Sequence, residues 1–342
     1  YTVVNVVDLE SYVKGVIPSE VPSSYGMEAL KAQAVCARSY AYIQMMHNKY
    51  EAYGAHVDDS VNFQVYNKQN QTPETVAAVD ETKGQVLSYK GDIIETYYYS
   101  TSYGHTGDYE AWNLDKDAYG YLQGVWVRSE ENSIDLSDEK SFLDYISNVD
   151  SACYESDLKY FRWNTVLDFQ GKDETLLHTI ADRKEHQPEA ISYYKDASKT
   201  ETTDSCSNFG SLQAINVVKR NQSGVILELE LDFQNGAVSV QSEYNMRAIL
   251  GCGITNINLL DGSSVEMSIL PSAYISIQAK GDGTYAVLGG GYGHGIGMSQ
   301  NGAQKLCGQG FDYKRILNYF YQDTELTELY QPQNTTKEEG GA

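Results

Sequence analysis

The segment Pro18-Ser19-Glu20-Val21-Pro22 constrains this chain more than any other. Proline has no backbone N–H and drives the residue before it toward extended geometry. The pattern therefore predicts a stiff, non-helical bend around Glu20. On its N-terminal side, Asp8 is placed to cap a helix with Leu9, Tyr12, Val13, Val16 and Ile17 on one face, ended by Pro18. On the other side a longer helix is predicted from about Tyr25 to Lys49, capped by Ser24 and with Glu28 well placed in its first turn. Met27, Leu30, Ala34, Ala37, Ala41 and Met45 form its inward stripe, and the small residues there imply close packing.

Elsewhere the period shortens. TVVNVV at the start, then FQVY, GQVLSY and DIIETYYYS, have strand character, with a short helix expected from Thr75 to Thr82. A mixed acidic stretch follows, with a helix near Asp138 to Val149, a strand near Phe161 to Phe169 and a loop from Asp196 to Asn208. SLQAINVVKR, GVILELELDF and GAVSVQSEY alternate as in an antiparallel meander. LPSAYISI and the glycine cluster GGGYGHGIG lead to a short helix near Met298 to Leu306. A final amphipathic helix presents Tyr313, Ile316, Leu317 and Phe320. The class expected is α+β, with mixed helices and largely antiparallel strands around a substrate cleft. Residues 1–330 are expected to form one module in two lobes, 1–107 with 285–330 and 108–284, with a disordered tail over 331–342.

Composition removes several function classes. Against 47 Asp and Glu stand only 25 Lys and Arg, a net charge of −22, which disfavours a nucleic-acid partner. No apolar run approaches the ~18 residues of a membrane helix. No basic-then-apolar leader opens the chain, so residue 1 reads as a mature start and the compartment must be argued from other features. The 29 tyrosines suit sugar surfaces and wet interfaces, but they are first of all what half-exposed strands favour. Cys36, Cys153, Cys206, Cys252 and Cys307 lie far apart with no C-x-x-C pair. They make neither a disulfide scaffold nor a local zinc cluster, though one or two bridges stay open.

Several residues are candidates for chemistry. Glu20, held by stiff backbone beside Ile17 and Val21, suits a general acid; the alternative is a surface turn in an acid-rich chain. Lys31 and Arg38 are seven apart on one edge of the long helix and Gln33 lies on the other, so they line a cleft or form a solvated helix edge. GYGHGIGMSQNGA has neither the ending of a P-loop nor the spacing of a dinucleotide fingerprint. Its alternating glycines allow close backbone approach to a ligand or a strand. His294 in its middle is a structural residue or, with Ser299 and Gln300, a hydrogen-bonding one. Ser100, Thr101 and Ser102 end a strand without an obvious Asp–His pair and read as hydrogen-bonding surface. His56, Asp58 and Asp59 form a loose cluster with no specific metal signature.

Together, LESYVKGVIPSEVPSSYGMEALKAQAVCARSYAY, DSVNFQVY, YYYSTSYGHTGDYEAW and GYGHGIGMSQNGA, in this order, resemble the SpoIID/LytB family of stage II sporulation protein D and related amidase enhancers. The resemblance runs from about Val4 to Leu326 and includes LPSAYISI and the strands around Arg220 and Arg247. It implies a bacterial, secreted, wall-facing protein, in the wall or membrane-anchored through a segment outside this chain. It also implies a peptidoglycan lytic transglycosylase of sporulation, active in engulfment, which cuts the MurNAc-β-1,4-GlcNAc bond with one glutamate and leaves 1,6-anhydro-MurNAc. Residue by residue, that glutamate is Glu20, and the cleft residues of the following helix are Lys31, Gln33 and Arg38. The matching strings add Gln64, Tyr66, Ser100, Ser102, His294, Ser299 and Gln300 as substrate-binding residues. Some members bind zinc through two cysteines before Q-V-Y; here those places read Asp58 and Phe63, so no metal or cofactor is carried over. Where the family often has His before the Ser-Thr-Ser run, this chain has Tyr99. The implied partners are glycan strands and other wall hydrolases, with no nucleic acid and no membrane span in this chain. The alternative is a non-catalytic wall-binding activator of an N-acetylmuramoyl-L-alanine amidase. Glu20 and the His294 loop are expected to face one cleft.

Overall fold

A computed structural model describes residues 3–59, 63–67, 70–130 and 132–330; the tail predicted to be disordered lies outside them. The class is α+β. The chain forms two compact units, the second comprising Tyr97–Gly310 with Leu317–Gln322 and the first the rest.

The first unit opens with α1 (Leu9–Glu20), capped by Asp8, whose carboxylate accepts the Ser11 N–H at 3.0 Å. This helix continues through Pro18, contrary to the expected bend. In a last turn a proline forfeits only one intrahelical bond. Here the Ser19 hydroxyl donates to Gly15 O at 3.0 Å, and the Val21 N–H still reaches Ile17 O at 3.0 Å. Glu20 is thus the final helical residue. Ser24 lies in a 3-10 turn, Ser23–Tyr25, and caps nothing; α2 (Met27–His47) starts after Gly26, whose φ of 92° suits glycine. Residues 32–39 of α2 are all buried, so the helix has no solvated edge at Gln33 or Arg38. Thr72 and Thr75 form a capping box on α3 (Pro73–Glu81). Strand β1 (Gln85–Tyr89) pairs antiparallel with β2 (Asp92–Ile93) and with β14 (Glu325–Glu328). Val13, Val16, Ile17, Leu30, Ala34, Ala37 and Val79 make the core. Neither the first valines nor FQVY joins a ladder among the described residues. In FQVY the Val65 N–H is taken by the Glu20 carboxyl of α1, and just after it the Asn67 N–H is taken by the Ser19 hydroxyl.

The second unit begins with β3 (Tyr98–Tyr99), α4 (Lys116–Tyr119) and α5 (Glu139–Ile146). Two sheets share its core. In one, β4 (Trp163–Asp168) lies between β9 (Ile257–Leu259) and β12 (Thr284–Gly289), with β10 (Ser264–Val265) and β11 (Ile275–Ala279) at the edges. In the other, β5 (Ile191–Tyr194), β6 (Leu212–Arg220), β7 (Ile226–Phe233) and β8 (Gly236–Val240) run in the order β5-β8-β7-β6, the predicted meander with one added strand. Helices α6 (Asp173–His186) and α7 (Glu243–Gly251) were not predicted. Only Leu176, Leu177 and Ile180 of α6 are buried, a narrow stripe among charges. The end of GAVSVQSEY opens α7 and does not extend the strand. The short β13 (Met298–Ser299) pairs parallel with β3 and leads into α8 (Gln300–Gly308). Helix α9 (Tyr313–Phe320) is divided between the units at residue 316. None of the five cysteines is bridged.

Candidate active site

Glu20, the last residue of α1, is held by backbone from a distant segment. Its Oε1 accepts the Val65 N–H at 2.8 Å. The Asn67 N–H donates to Ser19 Oγ at 3.0 Å, so residues 65–67 are stitched along the end of α1. Gln64 is buried. Its Oε1 accepts the Tyr12 hydroxyl at 3.2 Å and its Nε2 donates to Ala37 O at 3.2 Å. Tyr66 stacks on Tyr12 with centroids 5.6 Å apart. Burial, with the Tyr40 and Glu20 charges adding, raises the Tyr12 phenol well above its usual range and keeps it a neutral donor. The structure therefore brings Glu20, Gln64 and Tyr66 into one cluster. Gly15 makes room for it: a Cβ there would meet Tyr66 Cε2 at 2.4 Å. Gly15→Ala should displace the Tyr66 ring from Tyr12 while leaving global stability within about 1 kcal/mol, since helix propensity gains nearly that much. NMR of the Tyr66 ring beside a thermal melt checks this; an unmoved ring refutes it.

The residues carried over from α2 have other surroundings. Arg38 is fully buried. Its Nε and Nη2 clasp the Glu10 carboxylate at 2.9 and 2.8 Å, and Nη1 and Nη2 donate to the carbonyls of Ala34, Gln85 and Val79 at 3.4, 3.1 and 3.2 Å. All five guanidinium donors are occupied, so Arg38 is a structural clamp and does not line a cleft. Glu10, which the sequence reading passed over, also accepts the Gly84 N–H at 3.1 Å. Lys31 pairs with Glu28 at 3.0 Å and Glu81 at 2.7 Å, which raises its pKa. Gln33 is 1% exposed, and neither end of its amide has a partner among the described residues.

In the second unit the other two strings lie side by side. Thr101 and Tyr292 exchange backbone bonds at 3.1 and 2.8 Å, and the Gly107 N–H meets Gly295 O at 2.6 Å. The alternating glycines serve this contact. A Cβ on Gly297 would lie 2.1 Å from Tyr97 O, and φ is positive at Gly291, Gly293, Gly295 and Gly297. His294 is satisfied by backbone: its Nε2 lies 2.9 Å from Tyr98 O and its Nδ1 accepts the Ile296 N–H at 3.1 Å. Burial lowers its pKa to about 4, so the ring is neutral and holds the loop. Gln300 is buried at the start of α8. Ser100 is half-buried, with its hydroxyl 3.2 Å from that of Thr101. Thr101 and Ser102 are buried, which corrects their reading as surface. Tyr99, in the place of the family's His, is also buried, and its hydroxyl has no partner among the described residues.

What joins Ser102 to Ser299 is Glu155, a residue with no sequence signal. It is fully buried and accepts the Ser102 N–H at 3.0 Å, the Ser102 hydroxyl and the Ser299 hydroxyl at 2.7 Å. Ser299 in turn caps α8 through the Gly302 N–H at 3.1 Å. Burial pushes the Glu155 carboxyl up from 4.5 to about 7. A raised acid stabilises the fold below its unfolded pKa and loses that contribution as pH climbs through the folded one. Stability should thus fall by about 3 kcal/mol from this group between about pH 4.5 and 7. Glu155→Gln, which keeps the shape and both hydroxyl partners, should flatten that slope in melts from pH 4.5 to 8. An unchanged slope would refute the assignment.

The place of the family zinc site does not fit a metal. Phe63 has no donor and packs on Tyr50 at 5.7 Å, while Asp58 accepts the Tyr50 hydroxyl at 2.7 Å. Among the described residues no three His, Cys, Asp or Glu side chains gather into a cation cage, and no helix is long and apolar enough to cross a membrane.

Comparison with known proteins agrees with the strings that carry Glu20. Residues 1–89 match the family described as SpoIID, stage II sporulation protein, and residues 105–297 match a domain of unknown function, DUF8618. The chain is 29% identical over 329 residues to the amidase enhancer of Bacillus subtilis (strain 168), covering 92% of this chain and 40% of that protein. To stage II sporulation protein D of the same organism it is 26% identical over 337 residues, covering 94% of this chain and 75% of the relative. An uncharacterized protein of Brachyspira hyodysenteriae is 27% identical over 327 residues, covering 95% and 68%. The chain thus spans two fifths of the amidase enhancer's length. The helical opening thus matches the SpoIID family, residues 105–297 belong to DUF8618, and similarity to these relatives runs along nearly the whole chain.

Proposed function

We propose that this protein is a cell-wall enzyme of the bacterial exterior, a lytic transglycosylase that cleaves peptidoglycan strands with Glu20. The observation that carries the reading is the seating of Glu20 at the end of α1, one carboxyl oxygen held by the Val65 N–H and the cluster walled by Tyr12, Gln64 and Tyr66. Hydrolysis by two carboxylates requires a second acid at a set distance. A transglycosylase dispenses with it. Glu20 gives its proton to the glycosidic oxygen as the bond from muramic C1 breaks. The resulting carboxylate takes the proton of the C6 hydroxyl as O6 bonds to C1, closing the 1,6-anhydro ring. Glu20 ends protonated as it began, and no water is consumed. Glu20 is the catalytic residue in this scheme. Tyr66 orients the sugar, the buried Gln64 braces Tyr12 behind it, and the backbone fixes the carboxyl plane.

The test is product analysis. Purified protein acting on sacculi or peptide-free glycan strands should release fragments one water lighter than hydrolytic products, carrying anhydro-muramic ends. An intact glycan with faster release of stem peptides by an added amidase would instead support a non-catalytic activator, the role named in its amidase-enhancer relative.

A further inference from the structure

Past the end of α2 the chain leaves the core. Asn48 turns it in the left-handed region at φ 48°, and the Ala55 N–H on Tyr50 O at 3.3 Å closes a small loop around the 3-10 turn Glu51–Tyr53. No residue from 48 to 59 is buried. A segment without buried apolar contacts is held by its few specific ones. Here three of them meet at Tyr50. Its hydroxyl donates to Asp58 at 2.7 Å, and the carboxylate raises the phenol's pKa, which keeps the donated proton on the tyrosine. Its ring packs on Phe63 with centroids 5.7 Å apart. The Lys49 ammonium lies 5.8 Å from the Tyr50 centroid and 5.4 Å from that of Phe63, within range of both ring faces.

Phe63 stands directly before the residues that reach the helices. Gln64 bonds to Tyr12 and Ala37, the Val65 N–H to Glu20 and the Asn67 N–H to Ser19. The chain thus enters this row of bonds from a ring packed on Tyr50. Asp58 and Phe63, the two places that do not fit a metal, are the two partners of one tyrosine. We propose that Tyr50, tied to Asp58 and packed on Phe63, is a positioning residue that fixes the Val65 amide and through it the Glu20 carboxyl. Its effect on cleavage rests on the function proposed above; the coupling of Tyr50 to Val65 does not.

The test compares the full ¹⁵N-labelled chain with Tyr50→Phe, Asp58→Ala and Asp58→Asn. Tyr50→Phe keeps the ring and deletes the donor, whereas Asp58→Asn keeps an acceptor oxygen. Both positions lie outside the core, so all three variants should melt near the wild-type temperature. Hydrogen exchange at the Val65 amide should quicken about tenfold or more in Tyr50→Phe and Asp58→Ala and stay within about twofold in Asp58→Asn. On glycan strands the first two should lose about tenfold in kcat with KM within about twofold, since the acid is misplaced while the sugar contacts remain. A Val65 amide unmoved by Tyr50→Phe and Asp58→Ala would overturn the proposal. Equal damage from Asp58→Asn, or an unchanged kcat in a variant whose amide is freed, would do the same. So would exchange that quickens on dialysis of the wild type against EDTA and recovers with zinc, because a metal would then be holding the segment. The expected exchange pattern in a wild-type protein that forms no anhydro products would refute the catalytic reading alone.

Discussion

Glu20→Gln should fold and melt as the wild type does, yet release anhydro-muropeptides about 10²–10⁴-fold more slowly. Gln retains the acceptor oxygen that meets the Val65 N–H at 2.8 Å, so the corner at the end of α1 has no reason to reorganise. What it lacks is an exchangeable acid proton, and the scheme has one proton carrier for both half-steps. The loss should therefore fall on kcat, with glycan affinity near that of the wild type. Product analysis of digested sacculi, paired with a thermal melt, checks both halves. Undiminished cleavage at an unchanged melting temperature would eliminate the single-glutamate mechanism and with it the role given to this corner.

Arg38→Ala is expected to act on stability. It strands Glu10, which is 9% exposed and has Arg38 as its bidentate partner, and it removes the guanidinium donors from the carbonyls of Val79 and Gln85. Breaking a buried pair by removing one partner costs about 3–5 kcal/mol, which corresponds to a fall in Tm of roughly 10 °C. Arg38→Lys keeps the charge but offers three donors where five are used, so it should recover only part of the loss. The double variant Glu10→Gln with Arg38→Met should be less damaged than Arg38→Ala alone, because no buried charge is left unpaired. Cleavage per folded molecule separates the two roles. A clamp leaves it near wild type once the temperature is low enough to keep the variant folded, whereas a glycan-contacting arginine would reduce it at every temperature.

Much of the first unit was legible from residue order. The stripe Leu9 to Ile17, the Asp8 cap and the small residues of α2 are local signals, and local signals survive into the fold. Pro18 misled because its cost depends on position within a helix: in the last turn the one bond lost is that to Lys14 O, and the helix still closes with the Val21 N–H on Ile17 O. Arg38 misled for another reason. Periodicity places a residue on a helix edge but cannot say that α3 and β1 cover that edge, so a fully engaged buried guanidinium looked like a solvated one. The α6 helix escaped because three buried residues among charges make a weak period.

The sequence by itself determined the class, the meander of β6 to β8, the SpoIID match of the opening and the candidacy of Glu20, because each rests on residue types at short, fixed spacing. Tertiary structure alone decided which of the candidates meet. It seated Glu20 against Val65, 45 positions away, and buried Glu155 between Ser102 and Ser299, 53 positions back and 144 ahead. It also turned His294 from a candidate ligand contact into a loop brace. The physical reason is that hydrogen-bond partners, burial and cavities are properties of neighbours in space. A carboxylate or an imidazole takes its role from what surrounds it, and the chain order does not contain those surroundings until the backbone has closed around them.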